Sequence, residues 1–344
     1  MKIGIVILNY NSAKDTAKCL KFLQKQEFGI ENGELRIENG GGDDSAMDLH
    51  VIVVDNSLPD YRLQITDYTQ LSTTEKQLHL CQSVEQCSKQ GLERAHQKKE
   101  EKYQRNLCNL WEKKQIEVIY STENRGYSAG NNIGLRRAVE LGCEYVMVAN
   151  PDMEFPDTHY IEKLVAVMEE RDDVVVVGSD IVTPEGIHQN PMLPDGNWRS
   201  SFGWVTSLFR RQKRAEAYDF IGDYTKNDYC AKVSGCCLML RSSFLQEIGY
   251  FDEYPFLYCE EAILASQVAR AGKRMYYLAD AQAVHRHVKS EKGDPVKRFK
   301  HWQRSRIYFY KKYSSDSWLG RQISILSMRM YVFFYTMYKR VNGK

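Results

Sequence analysis

The sequence predicts an α/β fold: a mostly parallel central sheet flanked by helices, with a helical insertion and a basic C-terminal helical tail. Three observations carry this reading. Short apolar, β-branched runs alternate with segments of helical periodicity, as in layered domains built on a parallel sheet. The first four runs each stop at a polar cluster, and parallel sheets gather binding residues at the carboxyl ends of their strands. Charge is divided unevenly: residues 285–344 hold 15 Lys and Arg against 3 Asp and Glu, a net of +12, whereas residues 1–284 carry −10.

The elements follow in order. Ile3 to Leu8 is a continuous apolar run, the pattern of a strand buried on both faces, and it ends in Asn9-Tyr10-Asn11. Ser12 is placed to cap a helix through Gln26, with Ala13, Ala17, Leu20 and Leu23 at helical spacing. The Gly-rich stretch Gly40-Gly41-Gly42-Asp43-Asp44 reads as a loop. A second strand, His50–Val54, ends in Asp55-Asn56-Ser57. Residues 58–115 are rich in Gln, Lys, Glu and Ser and read as an inserted, mostly helical excursion. Glu117–Tyr120 is a third strand, and the turn Thr122–Gly126 leads into a helix from about Ser128 to Leu141, closed by Gly142. Glu144–Ala149 is a fourth strand, ending in Asn150-Pro151-Asp152; a helix over Thr158–Glu170 and a strand over Val174–Val177 complete the alternation.

Composition bounds the function classes. The chain has 344 residues, enough for about two domains or one large one with insertions. A 43% hydrophobic and 12% aromatic content with only 8 prolines excludes disordered and collagen-like chains. Nine cysteines, none spaced C-x-x-C, read as buried reduced thiols, because disulfide frameworks belong to small secreted chains. The N-terminal apolar run is too short for a signal peptide, and no segment offers the roughly 20 apolar residues of a membrane span. The expectation is a cytosolic chain.

Several residues could carry chemistry. Asp152, just past a buried strand, suits Mg²⁺ or Mn²⁺ as a hard oxygen ligand, or it is simply a turn-forming Asp after Pro. Glu260 and Glu261 open an apolar-faced helix, either as a general base or as first-turn acids matched to the helix dipole. His285 and His287 could complete a metal shell beside a carboxylate, or lie on the surface of the basic segment. The turn holding Gly126, Gly130, Asn131 and Asn132 leads into a helix N-terminus, which suits phosphate. Its pattern is G-x-x-x-G-N-N, which is neither a dinucleotide fingerprint nor a P-loop.

Taken together, these stretches resemble inverting family 2 glycosyltransferases of the GT-A (nucleotide-diphospho-sugar transferase) fold, especially the rhamnosyltransferase-like group. The matching segments are Ile7–Asn11, Val53–Ser57, Glu123–Asn132, Val148–Asp152, Val233–Leu240, Gly249–Glu253, Tyr258–Glu261 and Val284-His285, in the family's order. The resemblance covers residues 1–290 apart from the insertion and leaves 291–344 as a helical extension. It implies a metal-dependent transfer of a sugar from a UDP- or dTDP-linked donor to a glycan or lipid-linked acceptor hydroxyl, in cell-surface polysaccharide synthesis. Carried over, Asn9, Asn11, Asp55, Asn56, Asn124, Gly126, Asn131, Asn150 and Gly235 bind the nucleotide sugar. Asp152 and His285 hold the Mn²⁺ or Mg²⁺. Glu261, or Glu260, takes the acceptor's proton. Two positions depart from the pattern: Glu stands at the base position in place of Asp, and Ile263 stands two residues later in place of a second Asp. The alternative is a catalytically weak relative that binds nucleotide or scaffolds a synthesis complex. A nucleotidyltransferase is disfavoured, since Asn9–Ser12 has neither Gly nor Arg.

The tail mixes cations with aromatic residues from Trp302 to Tyr338, and cations interrupt every apolar stretch. Such helices lie in the membrane interface. The expectation is therefore a peripheral contact with the inner face of the cell membrane; the rivals are packing on the catalytic domain or a homodimer contact. Nothing upstream resembles a nucleic-acid module.

Overall fold

A computed structural model describes residues 1–26, 29–31, 34–36, 47–57, 116–205, 224–286 and 295–341. The helical insertion expected at 58–115, the Gly-rich loop at 40–44 and His287 lie outside the described residues.

The strands are β1 (Lys2–Asn9), β2 (Gly29–Glu31), β3 (Glu34–Arg36), β4 (Asp48–Asp55), β5 (Ile116–Tyr120), β6 (Tyr145–Ala149), β7 (Met153–Glu154), β8 (Val174–Val182), β9 (Asp228–Cys230), β10 (Cys237–Arg241) and β11 (Arg274–His285). The helices are α1 (Ala13–Leu23), α2 (Tyr127–Glu140), α3 (Tyr160–Glu170), α4 (Ser242–Glu247), α5 (Glu260–Arg270), α6 (Pro295–Lys312) and α7 (Trp318–Val341), with a 3₁₀ turn at Trp198–Phe202. The main sheet has the order β5-β4-β1-β6-β10-β8-β11-β7, with β9 on β11; β2 and β3 form a separate hairpin.

The β5-β4-β1-β6 half is parallel, as expected. In the other half β11 pairs parallel with β8, and antiparallel strands make the sheet mixed. Strand β10 runs antiparallel to both β6 and β8, and β7 and β9 run antiparallel to β11. A run such as Cys237–Leu240, buried on both faces, has the same apolar pattern in either direction. The core lies on both faces of the sheet. Ile3, Ile5 and Ile7 pack toward α1 and α3 through Leu20, Leu23, Ile161 and Leu164. Val6 and Val54 pack toward α2 and α5 through Leu135, Ala138 and Leu264. Glycines let α2 lie close to the sheet: a Cβ on Gly134 would come within 2.5 Å of Val6.

Strand β8 extends to Val182 instead of stopping at Val177, because its polar residues find partners. The Ser179 hydroxyl bonds the Tyr160 hydroxyl at 2.7 Å, and Asp180 accepts from Gln282 at 2.8 Å. The tail is docked. Ala262 and Ile263 of α5 are buried against Phe309, Tyr310, Tyr313, Ile325, Met328 and Val332 of α6, the α6–α7 connection and α7. Asp252 clasps the same connection, accepting from the Tyr308 and Tyr313 hydroxyls at 2.7 and 2.6 Å and pairing with Lys312 at 2.7 Å. Ile263, where the resemblance expects a second acid, is thus the floor on which the tail rests. The six described cysteines are free thiols.

Candidate active site

The carboxyl ends of β4, β1 and β6 form one side of a crevice. Asn9 and Asp55 stand opposite each other across the β1–β4 pair. Asn9 Nδ2 donates to Asp55 Oδ1 at 3.0 Å and to Ser57 Oγ at 2.9 Å, while Asn9 Oδ1 accepts from the Ser12 N–H at 3.1 Å and the Thr16 hydroxyl at 3.0 Å. Two donors and two lone pairs are therefore all used. Asn9 is fully buried, and its side chain is a strut that fixes Asp55. Asp55 is equally buried, and its Oδ1 also accepts the Ser57 N–H at 2.9 Å. Asn56 is buried beside it, and its Oδ1 has no hydrogen-bond partner among the described residues. Asn11 is exposed, held at φ 54° with its N–H on Ser57 Oγ at 2.8 Å, next to the exposed Tyr10.

The helix N-terminus expected to take phosphate is covered by the chain itself. Gly126 has φ +100°, and a Cβ there would lie 2.1 Å from the Phe256 carbonyl oxygen, so only glycine lets the two backbones meet. That carbonyl accepts the Tyr127 N–H at 2.9 Å. Asn124 closes the turn by accepting the Gly126 N–H at 3.0 Å. Asn131 is buried, with Nδ2 on the Tyr127 carbonyl at 3.0 Å, and Asn132 bonds the Phe251 carbonyl at 2.8 Å. The other end of the Asn131 amide, Oδ1, is buried with no hydrogen-bond partner among the described residues. Gly126 and Asn132 bind α2 to the 250–258 loop, a tertiary contact that no local pattern announces.

Asp152 and His285 do come together: Asp152 Oδ1 lies 3.3 Å from His285 Nε2. The short pairing of β11 with β7 brings His285 opposite Met153. Gln189 orients the ring, its Oε1 lying 2.9 Å from His285 Nδ1. Burial works against a positive imidazole, but Asp152 and Cys236 outweigh it and push His285 up to about 10. Among the described residues, no group of three or more His, Cys, Asp and Glu is gathered as a metal cage. A carboxylate beside a buried imidazole, once that imidazole gives up its proton, is a donor pair that fits a divalent ion taking its remaining ligands from phosphate and water, as Mg²⁺ commonly does.

The carboxylate pair opens α5. Tyr258 and Cys259, the two residues before it, both sit in the left-handed region at φ 74° and 69°. Such strain in non-glycine residues is held only where the surroundings enforce it, and it gathers at functional sites. Glu261 Oε1 accepts the Gly235 N–H in a long contact of 3.4 Å, and the Tyr127 hydroxyl donates to the Gly235 carbonyl. Glu260 Oε2 is buried with no hydrogen-bond partner among the described residues. Burial and the neighbouring Glu261 push Glu260 up to about 8. Ser234–Cys236 joins the two halves: the Asn150 N–H donates to the Cys236 carbonyl at 2.7 Å, and Gly235 faces the carboxylates.

A cleft of about 450 Å³ opens from Glu260 and Glu261 toward the tail. Its ion cluster, Asp195 with Lys232 at 3.1 Å and with Arg306, was not singled out by sequence reasoning, and neither were Tyr127 and Gln189. Tyr127 lies inside a matching segment and could have been read from it. The others come from loops and the tail, where no pattern marks them.

The glycosyl transferase family 2 model matches residues 95–249, a stretch that holds the turn into α2, Asp152 and Gly235. Among curated proteins, the low-salt glycan biosynthesis hexosyltransferase Agl10 of Haloferax volcanii is 28% identical over 172 residues, 49% of this chain and 52% of that protein. The N-acetylglucosaminyl-diphospho-decaprenol L-rhamnosyltransferase of Mycobacterium tuberculosis is 26% identical over 223 residues, 59% of this chain and 69% of that one. The chain thus spans about half the length of the first of these relatives. Among solved structures, S. aureus TarS 1–349 gives a TM-score of 0.48 at 14% identity, covering 96% of this chain and 72% of that one. The mannosyltransferase PcManGT from Pyrobaculum calidifontis, in complex with GDP-Man and Mn²⁺, gives 0.47 at 14% identity, covering 96% and 69%.

Proposed function

We propose that this chain is an inverting glycosyltransferase that moves a sugar from a UDP- or dTDP-linked donor to a hydroxyl of a glycan or lipid-linked acceptor in cell-surface polysaccharide synthesis. The observation that carries it is the placement of Glu260 and Glu261 across Ser234–Cys236 from Asp152 and His285. Glycan-synthesis relatives, one named for a diphospho-decaprenol acceptor, support the acceptor class.

The acceptor oxygen attacks the anomeric carbon from the face opposite the leaving diphosphate, and Glu261 removes its proton as the new C–O bond forms. The nucleotide diphosphate departs with the bonding electrons, so a single displacement inverts the centre and no covalent enzyme intermediate is needed. Asp152 and His285 would hold the Mn²⁺ or Mg²⁺, which supplies charge neutralisation at the departing diphosphate. Gln189 keeps His285 oriented, and Asn9 keeps Asp55 fixed behind the nucleotide end.

The exposed stripe Leu319, Leu326, Met330, Phe333 and Met337 on α7, flanked by Arg329 and Arg340, supports peripheral attachment to the cytoplasmic face of an anionic membrane. Among the described residues, no helix is long and apolar enough to cross one. A second copy of the chain is the competing occupant of that stripe.

The test is release of nucleotide diphosphate from a panel of donors with Mn²⁺, in wild type and in Glu261→Gln. We expect turnover to fall by roughly 10²–10⁴-fold, with nucleotide affinity unchanged, because the amide keeps the shape and loses the proton acceptor. No release by the wild type from any donor, with nucleotide still bound, would favour the scaffolding alternative.

A further inference from the structure

The cleft beside Glu260 and Glu261 has a wall that the catalytic domain does not supply. The domain side carries the two carboxylates and Lys232; the far side is built by Trp302 and Arg306 of α6 and Tyr331 of α7. Both of its cations are ion-paired: Asp195 lies between Lys232, at 3.1 Å, and the half-buried Arg306. Its aromatic rings are not all equivalent. Trp204 is pinned, stacked on Tyr331 at 5.3 Å with its N–H on the Ser327 hydroxyl at 2.9 Å. Trp302 has Phe299 against it at 5.2 Å and meets Tyr331 edge-on at 6.3 Å, and it lines the cleft. It is half-buried, a large flat apolar surface in a cleft otherwise rich in hydroxyls and paired charges.

A neutral pyranose has that complementarity. One face of the ring is a patch of C–H bonds, its rim is hydroxyl groups, and sites for such ligands pair apolar or aromatic walls with a few placed polar groups. We propose that the cleft seats the acceptor's terminal pyranose, with Trp302 of the tail as its stacking platform and the reacting hydroxyl at the Glu260–Glu261 pair. The inference rests on the glycosyltransferase reading above and deepens it: the C-terminal helices become the specificity wall for the acceptor and not merely a tether. It also explains why Arg306 is half-buried and paired. Bridging Asp195 to α6, it holds the platform at a set distance from the carboxylates.

The experiment is saturation-transfer NMR on the full chain with methyl β-D-glucopyranoside, methyl N-acetyl-β-D-glucosaminide, methyl α-L-rhamnopyranoside and glucose 1-phosphate. UDP and dTDP binding is followed in parallel by thermal shift, in wild type, Trp302→Phe and Trp302→Ala. At least one methyl glycoside should bind the wild type more tightly than the sugar phosphate does. Trp302→Ala should weaken it by at least about ten-fold, since an indole face is a larger apolar surface than the single methylene whose loss already costs that much. Trp302→Phe should recover most of that affinity, and nucleotide binding should stay within twofold in both variants. Glycoside affinity unchanged in Trp302→Ala, preference for the sugar phosphate, or no glycoside bound by the wild type would overturn the proposal. Absence of nucleotide binding in the wild type would instead sink the donor reading on which it stands.

Discussion

Glu260 is the residue whose environment and chemistry conflict most. Its Oε2 is buried without a partner among the described residues, and Glu261 stands beside it. Its raised value means the proton is kept in the folded chain and lost in the unfolded one between about pH 4.5 and 8. The stability the proton contributes is full below that window and is lost as pH rises through it. Glu260→Gln carries no such proton, so the gap in melting temperature between variant and wild type should widen in the variant's favour from pH 5 to pH 8 and level off above. A gap that does not change with pH would remove Glu260 from the interior. Asp152 makes a separate prediction. Asp152→Ala should abolish most donor turnover and the Mn²⁺ dependence of nucleotide binding while the fold survives, because the side chain is part of no apolar cluster. Wild-type turnover in that variant would end the metal assignment.

At the level of elements, the contact between α5 and the tail decides what Ile263 is for. It is buried at the base of the cluster formed with Phe309, Tyr313, Ile325 and Met328. Ile263→Ala should cost about 2–5 kcal/mol in chemical denaturation, the range for truncating a core aliphatic. Ile263→Asp, which restores the acid that the family resemblance expects, should cost more, because a lone carboxylate would be sealed among aromatics. If the Asp variant were as stable as wild type, the tail would not rest on this face. The glycosyltransferase pattern and the tail therefore compete for one position, and in this chain packing has taken it.

For the molecule as a whole, α7 carries two opposed faces. Ser324, Ile325, Met328 and Val332 are buried inward, while Leu319, Leu326, Phe333 and Met337 are exposed outward among cations. The full chain should float with vesicles containing phosphatidylglycerol and remain at the bottom with pure phosphatidylcholine. The outward double variant Phe333→Glu with Met337→Glu should lose flotation without losing melting temperature. Equal flotation of the two chains would move the stripe's role to a contact between copies, which sedimentation velocity would then show as a dimer.

Much of this was legible in the residue order. Apolar runs such as Ile3–Leu8 and Tyr145–Ala149 announce buried strands, because a strand covered on both faces has no polar side to alternate with. Polar clusters at their ends mark the crevice, and Gly142 ends its helix where a left-handed residue was expected, at φ +79°. Asp152, His285, Glu260 and Glu261 could be picked out as types of residue at meaningful places. What the order could not decide was which atoms are free. Asn9 is a strut because four partners from two segments saturate it, and Gly126 is a glycine because Phe256, 130 residues along the chain, presses on it. The direction of β10, the docking of the tail on Ile263 and the cleft between Glu260 and Trp302 also join segments distant in the chain. Periodicity reports only which side of an element is apolar; what covers that side is settled by packing, when the chain closes on itself.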